Sequence, residues 1–176
     1  RKIAVVYWSG TGNTEAMASA VLEGAKEKGA EAVLFTAPEF DASMVDDYDA
    51  IAFGCPSMGA EQLEETEFEP MFSSCKPALK GKKIALFGSY GWGDGEWMRS
   101  WEAEAKGCGA VLACGSVICA DAPDAEARMS CEALGKALSL IQTIEKRLCR
   151  YRHSRFFNQR SRKRRPGWLS DRTAPH

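Results

Sequence analysis

Short apolar runs alternate with helical segments along most of this chain, and the alternation limits the folds open to it. The predicted strands cover residues 2–8, 31–36, 49–55, 82–88 and 110–118. The predicted helices cover residues 13–28, 66–75, 95–106 and 124–145, with a short helix or turn at 41–48. Several strands are apolar almost throughout, which is typical of strands that are covered on both faces. The pattern therefore predicts an α/β protein with a parallel sheet and helices on both sides of it.

The loops that follow the strands are candidate binding sites, because ligands of such sheets lie beyond the carboxyl ends of the strands. These loops read SGTGNT at 9–14, PSMGAEQ at 56–62, SYGWGDGEW at 89–97 and CADAPD at 119–124. The first loop joins a strand to a helix and contains only small or hydrogen-bonding residues: Ser9, Gly10, Thr11, Gly12, Asn13 and Thr14. We therefore expect it to bind a phosphate group.

This first loop contains no lysine or arginine. Its glycines let backbone N–H groups turn toward an anion, and the helix that begins there directs its positive dipole end to the same point. That is enough to neutralise a phosphate that only anchors a ligand. Phosphoryl transfer needs Lys and Mg²⁺, and the loop lacks the G-K-[ST] ending of a nucleotide triphosphate loop. It also lacks G-x-G-x-x-G, which argues against a dinucleotide pyrophosphate.

Two further loops carry side chains that suit a flat ring. Trp92 stands between Gly91 and Gly93, and a tryptophan in such a loop can lie flat on a planar ligand. Met58 offers a soft side chain for the opposite face, and Gly59 can adopt either sign of φ at low cost. Taken singly, Trp92 and Met58 could be ordinary partly buried residues. Together with the first loop they favour a planar, phosphorylated ligand.

Three stretches resemble short-chain flavodoxins in both sequence and spacing: YWSGTGNTE, GCPSMGAEQLEETEFEPMF and KKIALFGSYGWGDGEWMRSWE. The stretch DAPDAEARMSCEALGKAL resembles the last loop and helix of that family, so the resemblance extends over residues 2 to about 142. It implies a flavodoxin-like, doubly wound sheet of five parallel strands in the order 2-1-3-4-5. It also implies non-covalent FMN as the cofactor, and electron transfer rather than enzymatic catalysis as the function.

The resemblance further implies roles for individual residues. Contacts to the phosphate fall on Ser9, Thr11, Asn13, Thr14 and Ser89, with Gly10 and Gly12 in the same loop. The isoalloxazine ring falls between Met58 and Trp92, with Ser57 and Tyr90 beside them. The flavin edge falls next to Gly59 near N5, Glu61 near N3, the N–H groups of Gly91 and Gly93, and Asp121, where the family often has Asn. No catalytic residue and no metal ligand is expected.

The charge of residues 1–145 predicts the kind of electron carrier. They contain 12 Lys and Arg against 23 Asp and Glu, a net charge of −11. Adding an electron to a flavin in such surroundings is unfavourable, so we expect a low-potential carrier that shuttles between semiquinone and hydroquinone. The acids at 61, 64, 65, 67 and 69 are either a solvated helix face or a rim that docks basic redox proteins. We expect a monomer.

Two other functions share this fold. An FMN-dependent NAD(P)H or quinone reductase would need an open pocket over the flavin, which Trp92 and Met58 are expected to cover. A response-regulator receiver domain would need an acidic pair after the first strand and a phosphorylatable Asp after the third. The chain has Tyr-Trp-Ser and Cys-Pro-Ser at those places, which argues against a receiver domain.

The last 31 residues differ sharply from the rest in charge. Residues 146–176 contain 11 Lys and Arg and a single acid, Asp171, a net charge of +10. We interpret residues 1–145 as the FMN-binding domain and residues 146–176 as a basic, disordered tail. Three alternatives stay open: the tail folds onto the acidic domain, it binds nucleic acid, or it is a read-through product of a GC-rich gene. Nucleic-acid binding is the least expected of these.

Cysteine usage and hydropathy bear on the compartment. The chain has seven cysteines and no C-x-x-C pair, so we expect reduced thiols that pack as small hydrophobic side chains. No apolar run approaches the roughly 18 residues of a membrane span. These features favour a cytoplasmic protein that does not associate with membranes.

Overall fold

The structure is a computed structural model that describes residues 1–140. Within these residues the strands are β1 Lys2–Tyr7, β2 Glu31–Thr36, β3 Ala50–Gly54, β4 Lys83–Tyr90, β5 Val111–Leu112 and β6 Val117–Ala120. The helices are α1 Asn13–Glu27, α2 Phe68–Cys75, α3 Glu96–Gly107 and α4 at 125–140. Short 3₁₀ turns cover Ala37–Glu39, Ala42–Asp47 and Lys76–Ala78. The predicted end of the last helix at 145, and the basic tail at 146–176, lie outside the described residues.

The strands form one parallel sheet in the order β2-β1-β3-β4-β5, with β6 also paired to β4. This confirms the predicted order 2-1-3-4-5. The strands β1 and β3 lie inside the sheet and are buried almost throughout, as their continuous apolar sequences indicated. The edge strand β2 alternates exposed and half-buried residues at its start instead.

The predicted fifth strand at 110–118 is interrupted, so β5 and β6 share one position at the sheet edge. Leu112 pairs with Ile84, and Val117 pairs with Phe87. The four residues 113–116 therefore lie opposite only two residues of β4, at 85–86. The two extra residues have no opposite partner in β4, and the segment bulges away from the strand, as is common at sheet edges.

Helices cover both faces of the sheet, as predicted. On one face α2 and α3 pack through Phe68, Phe72 and Trp101, whose rings meet edge to face or stacked at centroid distances of 5.4–6.3 Å. On the other face α1 and α4 pack through Met17, Val21, Leu134 and Leu138. Burying large apolar side chains on both faces supplies the main favourable free energy of folding.

This layering gathers the loops after β1, β3, β4 and β6 at one edge of the sheet, because parallel strands all end there. Among residues 1–140, no helix is both long enough and apolar enough to cross a membrane. Within the same residues, no cluster of three or more His, Cys, Asp or Glu side chains is arranged to hold a metal ion. The six described cysteines are all free thiols.

Candidate functional site

An open cavity of about 230 Å³ lies where these loops meet. Its described lining residues are Trp8, Gly10, Thr11, Asn13, Pro56, Ser57, Met58, Ser89, Tyr90, Gly91, Trp92 and Asp121. Apart from Trp8, which directly precedes the first loop, they come from the four loops named in the sequence analysis. None of these residues is Lys, Arg or His, so the cavity must attract an anion without a cationic side chain from the part of the chain that is described.

The first loop presents hydrogen-bond donors to the cavity. Gly12 precedes α1 with φ +95°, a left-handed conformation that favours glycine, and it has no side chain to cap the helix. The first N–H groups of α1 have no partner within the helix, so they stay available to a ligand. The hydroxyl oxygen of Ser9 accepts the N–H of Gly12 at 3.1 Å, which shapes the loop and leaves the Ser9 proton free to be donated. Thr11 and Asn13 line the cavity directly.

Thr14 lies behind this lining rather than in it. Its hydroxyl is 2.9 Å from the hydroxyl of Ser89 and also accepts the Ser89 N–H at 3.4 Å. Both side chains are buried, with exposed fractions of 1% and 6%. The pair therefore joins the start of α1 to the end of β4 and holds Ser89 at the floor of the cavity.

The loop after β3 forms a tight hairpin around Gly59. Met58 and Gln62 exchange two backbone hydrogen bonds, of 2.8 Å and 2.9 Å. Gly59 and Glu61 both have φ +53°, so the turn depends on left-handed backbone at two positions. Met58 and Ser57 line the cavity, while Gly59 lies beside it in the turn.

The loop after β4 forms another part of the cavity wall. Trp92 lines the cavity and is 56% exposed, which is unusual for so large an apolar side chain. Tyr90 packs on Trp97 at a centroid distance of 5.5 Å, and the Trp97 indole donates to the Cys55 carbonyl at 3.2 Å. The loop that presents Trp92 is thus anchored on either side by the packed aromatic residues Tyr90 and Trp97.

Glu61 connects the loop after β3 to the loop after β4. The Glu61 carboxylate accepts the N–H of Asp94 at 3.2 Å, and a Cβ atom on Gly93 would lie only 2.1 Å from it. Glu61 and Gly93 are therefore packed against each other outside the cavity lining. Arg99 holds Asp94 with a 2.8 Å ion pair and keeps the pKa of that carboxyl below its usual range. The role implied for Glu61 at the flavin N3 stays a prediction.

Asp121 lines the cavity in a strained position. Its φ is +55°, which Asp and Asn adopt more readily than other side chains. Its N–H donates to the Tyr90 carbonyl at 2.9 Å, which continues the pairing of β6 with β4. Its carboxylate oxygen lies 3.8 Å from the place where a Cβ atom on Gly91 would be. A negative charge therefore stands beside the loop that carries Trp92.

Two lining residues, Trp8 and Pro56, were not among the site residues selected from the sequence, although Pro56 lies in one of the candidate loops. Trp8 was assigned to the end of the first predicted strand, although β1 ends at Tyr7 and leaves Trp8 in the loop. The indole N–H of Trp8 donates to Glu67 Oε2 at 3.1 Å, a contact between residues 59 positions apart. An aromatic residue directly before a phosphate-binding loop was the available signal in the sequence.

Glu64 differs from the other acids of its segment because it is buried. Its carboxylate accepts the N–H groups of Thr66, Glu67 and Phe68, each at 2.9 Å, and the Thr66 hydroxyl. Burial raises the pKa of Glu64, but these hydrogen bonds outweigh burial and hold it below the usual value. Glu64 therefore caps α2 and does not belong to an exposed acidic rim, whereas Glu65, Glu67 and Glu69 are exposed.

Fold and cavity together define a class of protein: a doubly wound α/β domain that binds a flat ligand ending in a phosphate. Comparisons with known proteins specify the class further. The flavodoxin family profile matches residues 5–134. The flavodoxin of Megasphaera elsdenii is 45% identical over 138 residues, which cover 77% of this chain and 96% of that protein. The flavodoxin of Clostridium beijerinckii is 42% identical over 137 residues, which cover 78% of this chain and 99% of that protein. The solution structure of two-electron reduced Megasphaera elsdenii flavodoxin superposes with a TM-score of 0.72 at 43% identity, covering 78% of this chain and 98% of its own.

This chain belongs to the flavodoxin family of non-enzymatic, FMN-dependent electron carriers. The cavity fits that cofactor on its own evidence. The Ser57 hydroxyl is buried, lines the cavity and has no hydrogen-bond partner among the described residues, so a polar group of the cofactor would satisfy it. The first loop supplies donors for one phosphate, and Met58 and Trp92 supply two apolar walls for a ring.

Proposed function

We propose that this chain is a low-potential one-electron carrier that works between the semiquinone and hydroquinone of FMN. The observation that carries the proposal is the charge around the cavity. No described lining residue is cationic, Asp121 adds a carboxylate, and residues 1–145 have a net charge of −11. An added electron meets this field without compensation, and each 1.36 kcal/mol of penalty lowers a one-electron potential by about 59 mV.

In this proposal the first loop holds the phosphate. Thr11 and Asn13 donate from side chains that line the cavity, Ser9 donates from the same loop beside the lining, and the start of α1 adds backbone N–H groups. Thr14 acts through Ser89, because its hydroxyl contacts Ser89 and not the cavity. The flavin supplies the redox chemistry, and the protein fixes its orientation and surroundings.

Gly59 is proposed to let the backbone respond to the redox state. The Met58 carbonyl accepts the Gln62 N–H at 2.9 Å, so turning the Met58–Gly59 peptide toward a ligand sacrifices one hydrogen bond, about 0.5–1.5 kcal/mol. Glycine keeps the additional conformational cost low, because it tolerates both signs of φ. The contacts of Glu61 and Gly93 hold the neighbouring loop in place while this turn moves.

Electron exchange is proposed to occur with redox proteins that present basic patches. Glu65, Glu67 and Glu69 are exposed at the start of α2, next to the cavity. Charges of one sign at a site of brief encounter raise the association rate of oppositely charged partners. The proposed rim omits Glu64, which is buried in the cap of α2.

A reductive titration tests the redox proposal. The protein reconstituted with FMN is titrated with dithionite under argon while visible spectra are recorded. We expect a blue neutral semiquinone to accumulate and then to bleach at a second, lower potential. Direct conversion to the two-electron reduced form, with no semiquinone at any point, would overturn the proposal.

A further inference from the structure

Trp8 occupies a defined place between the first loop and α2. Its ring lines the cavity and packs against the core on the side of α2 and α3. A Cβ atom on Gly10 would lie 3.0 Å from its Cη2 and 3.3 Å from its Cζ3. The six-membered edge of the indole therefore covers the first loop at Gly10, where a side chain would press against the ring.

The other edge of the same indole is fixed by Glu67. The Trp8 N–H donates to Glu67 Oε2 at 3.1 Å, and Glu67 is the residue that precedes the first turn of α2. The ring is thus held at both edges, over the loop on one side and by a carboxylate on the other. It forms a fixed wall beside the place where a phosphate in loop 9–14 would end.

We propose that Trp8, anchored by Glu67, makes this cavity selective for flavin mononucleotide over flavin adenine dinucleotide (FAD). A monophosphate ends within the loop and does not need to pass the ring. The second phosphate and the adenosine of FAD must leave the loop across the wall formed by Trp8. The Glu67 carboxylate that holds the Trp8 N–H is a negative charge on that side of the ring, which disfavours a second phosphate there, and no described lining residue offers a cation. The inference rests on the proposed placement of the phosphate in the first loop.

The test compares two flavins on the same apoprotein. Kd values for FMN and FAD are measured by quenching of flavin fluorescence, for the wild type and for Trp8→Ala, Trp8→Phe and Glu67→Gln. The readout is the ratio of Kd for FAD to Kd for FMN, which does not depend on the fraction of a variant that folds. We expect the ratio to fall about tenfold in Trp8→Ala, because the wall is gone.

The other variants separate the ring from its anchor. Trp8→Phe keeps a ring without its N–H donor, so the ratio should fall by a smaller factor than in Trp8→Ala. Glu67→Gln keeps an acceptor oxygen but removes the charge, so a fall of about two- to threefold is expected. The matched control is Trp92→Ala, which removes the other lining tryptophan and should weaken both flavins while leaving the ratio unchanged.

An unchanged ratio in Trp8→Ala, with both flavins weakened equally, overturns the selectivity role and leaves Trp8 as a packing contact. Riboflavin binding to the wild type tests the underlying placement separately. If riboflavin binds as tightly as FMN, the first loop does not hold the phosphate, and both proposals about this loop fail. If riboflavin binds weakly while the Trp8→Ala ratio is unchanged, only the role of Trp8 fails.

Discussion

At the scale of single residues, Gly59 has a left-handed backbone conformation that is cheaper for glycine than for a residue with a side chain. Its φ is +53°, and a Cβ atom there would lie 3.4 Å from the nearest side chain, an ordinary contact. The cost of a side chain is therefore conformational rather than steric, about 1–2 kcal/mol. We expect Gly59→Ala to lower the maximum yield of semiquinone in a dithionite titration, because the turn becomes harder to rearrange.

The control for this variant is Gly115→Ala. Gly115 has no atoms within 4 Å of its would-be Cβ and no left-handed φ, and it lies in the bulge at the sheet edge. Its substitution should leave the yield unchanged. A Gly59→Ala protein with the wild-type yield would remove Gly59 from the redox mechanism.

Asp121 is the second residue whose identity should influence the potential. Its carboxylate stands against the Gly91 backbone at the cavity wall, so it opposes a further negative charge there. Asp121→Asn keeps a side chain that tolerates φ +55° and removes the charge. The potential of the second electron should rise by about 10–50 mV at low ionic strength.

Potentiometry of Asp121→Asn beside Glu126→Gln checks this expectation. Glu126 is exposed on α4 and does not line the cavity, so its neutralisation removes the same charge farther from the flavin. Equal shifts in the two variants would mean that only net charge matters and that the position of Asp121 has no special effect.

Residue-level prediction from the sequence could identify residues that share the cavity where a local motif marks each loop, while their roles toward FMN stay predictions. Asn13, Met58 and Trp92 were selected from separate loops, and the structure brings them to one cavity because parallel strands end at one edge. It failed where a contact joins distant positions. Nothing local shows that Trp8 bonds to Glu67, or that Glu61 bonds to the N–H of Asp94.

At the scale of elements, the start of α2 depends on one buried carboxylate. Glu64 accepts the N–H of Phe68, the first residue of α2, and those of Thr66 and Glu67 just before it, each at 2.9 Å, and the Phe68 N–H has no partner within the helix. Glu64→Gln replaces one acceptor oxygen by an NH₂ group and should lower the free energy of unfolding by about 1–3 kcal/mol at pH 7. Urea unfolding of the FMN-loaded protein, at a fixed concentration of FMN, measures the difference.

The same carboxylate makes the difference depend on pH. Because the pKa of Glu64 is lowered in the folded protein, the unfolded chain binds the proton more readily. The stabilisation is fully present above the unfolded pKa, about 4.3, and is lost as the pH falls through the lower folded value. The gap between wild type and Glu64→Gln should therefore narrow below about pH 4. A gap that is constant with pH would show that the cap does not depend on the charge.

The packing of α1 on α4 depends on the absence of side chains at two glycines. A Cβ atom on Gly24 would lie 2.0 Å from the Glu132 carbonyl oxygen, and one on Gly135 would lie 2.1 Å from that of Val21. Gly24→Ala should destabilise the protein by about 1–3 kcal/mol, despite the better helix propensity of alanine. Gly107→Ala on α3, with open space around it, should be neutral or slightly stabilising when thermal unfolding of the two variants is compared.

The ends of the helices and inner strands that fall within residues 1–140 lie within two residues of the predicted ends, because their periodicity and apolar runs are local signals. The interruption of the edge strand between β5 and β6 could not be predicted in this way. Residues 110–118 have the composition of one strand. The interruption arises because this segment has two residues more than the part of β4 it faces, and that register joins segments distant in sequence. The sequence also does not show that Gly24 lies against Glu132 or that Gly135 lies against Val21. Each is an isolated glycine within a helical pattern, and its neighbour is on another helix.

At the scale of the whole molecule, negative charge and the position of the cavity act together. The acids Glu65 and Glu69 are exposed at the start of α2, and residues 1–145 have a net charge of −11. Such a field should steer a basic redox protein toward the cavity, and salt should screen it. We expect the second-order rate constant for reduction of a basic acceptor, with cytochrome c as the probe, to fall steadily as ionic strength rises.

A double variant localises the effect. Glu65→Gln with Glu69→Gln should lower the low-salt rate constant by about two- to fivefold and flatten its dependence on salt. Neutralising two acids of α1, Glu23→Gln with Glu27→Gln, changes the net charge equally but on the opposite face of the sheet. If both double variants slow the reaction to the same extent in stopped-flow measurements, steering comes from total charge. If only the first does, the acceptor docks at the start of α2.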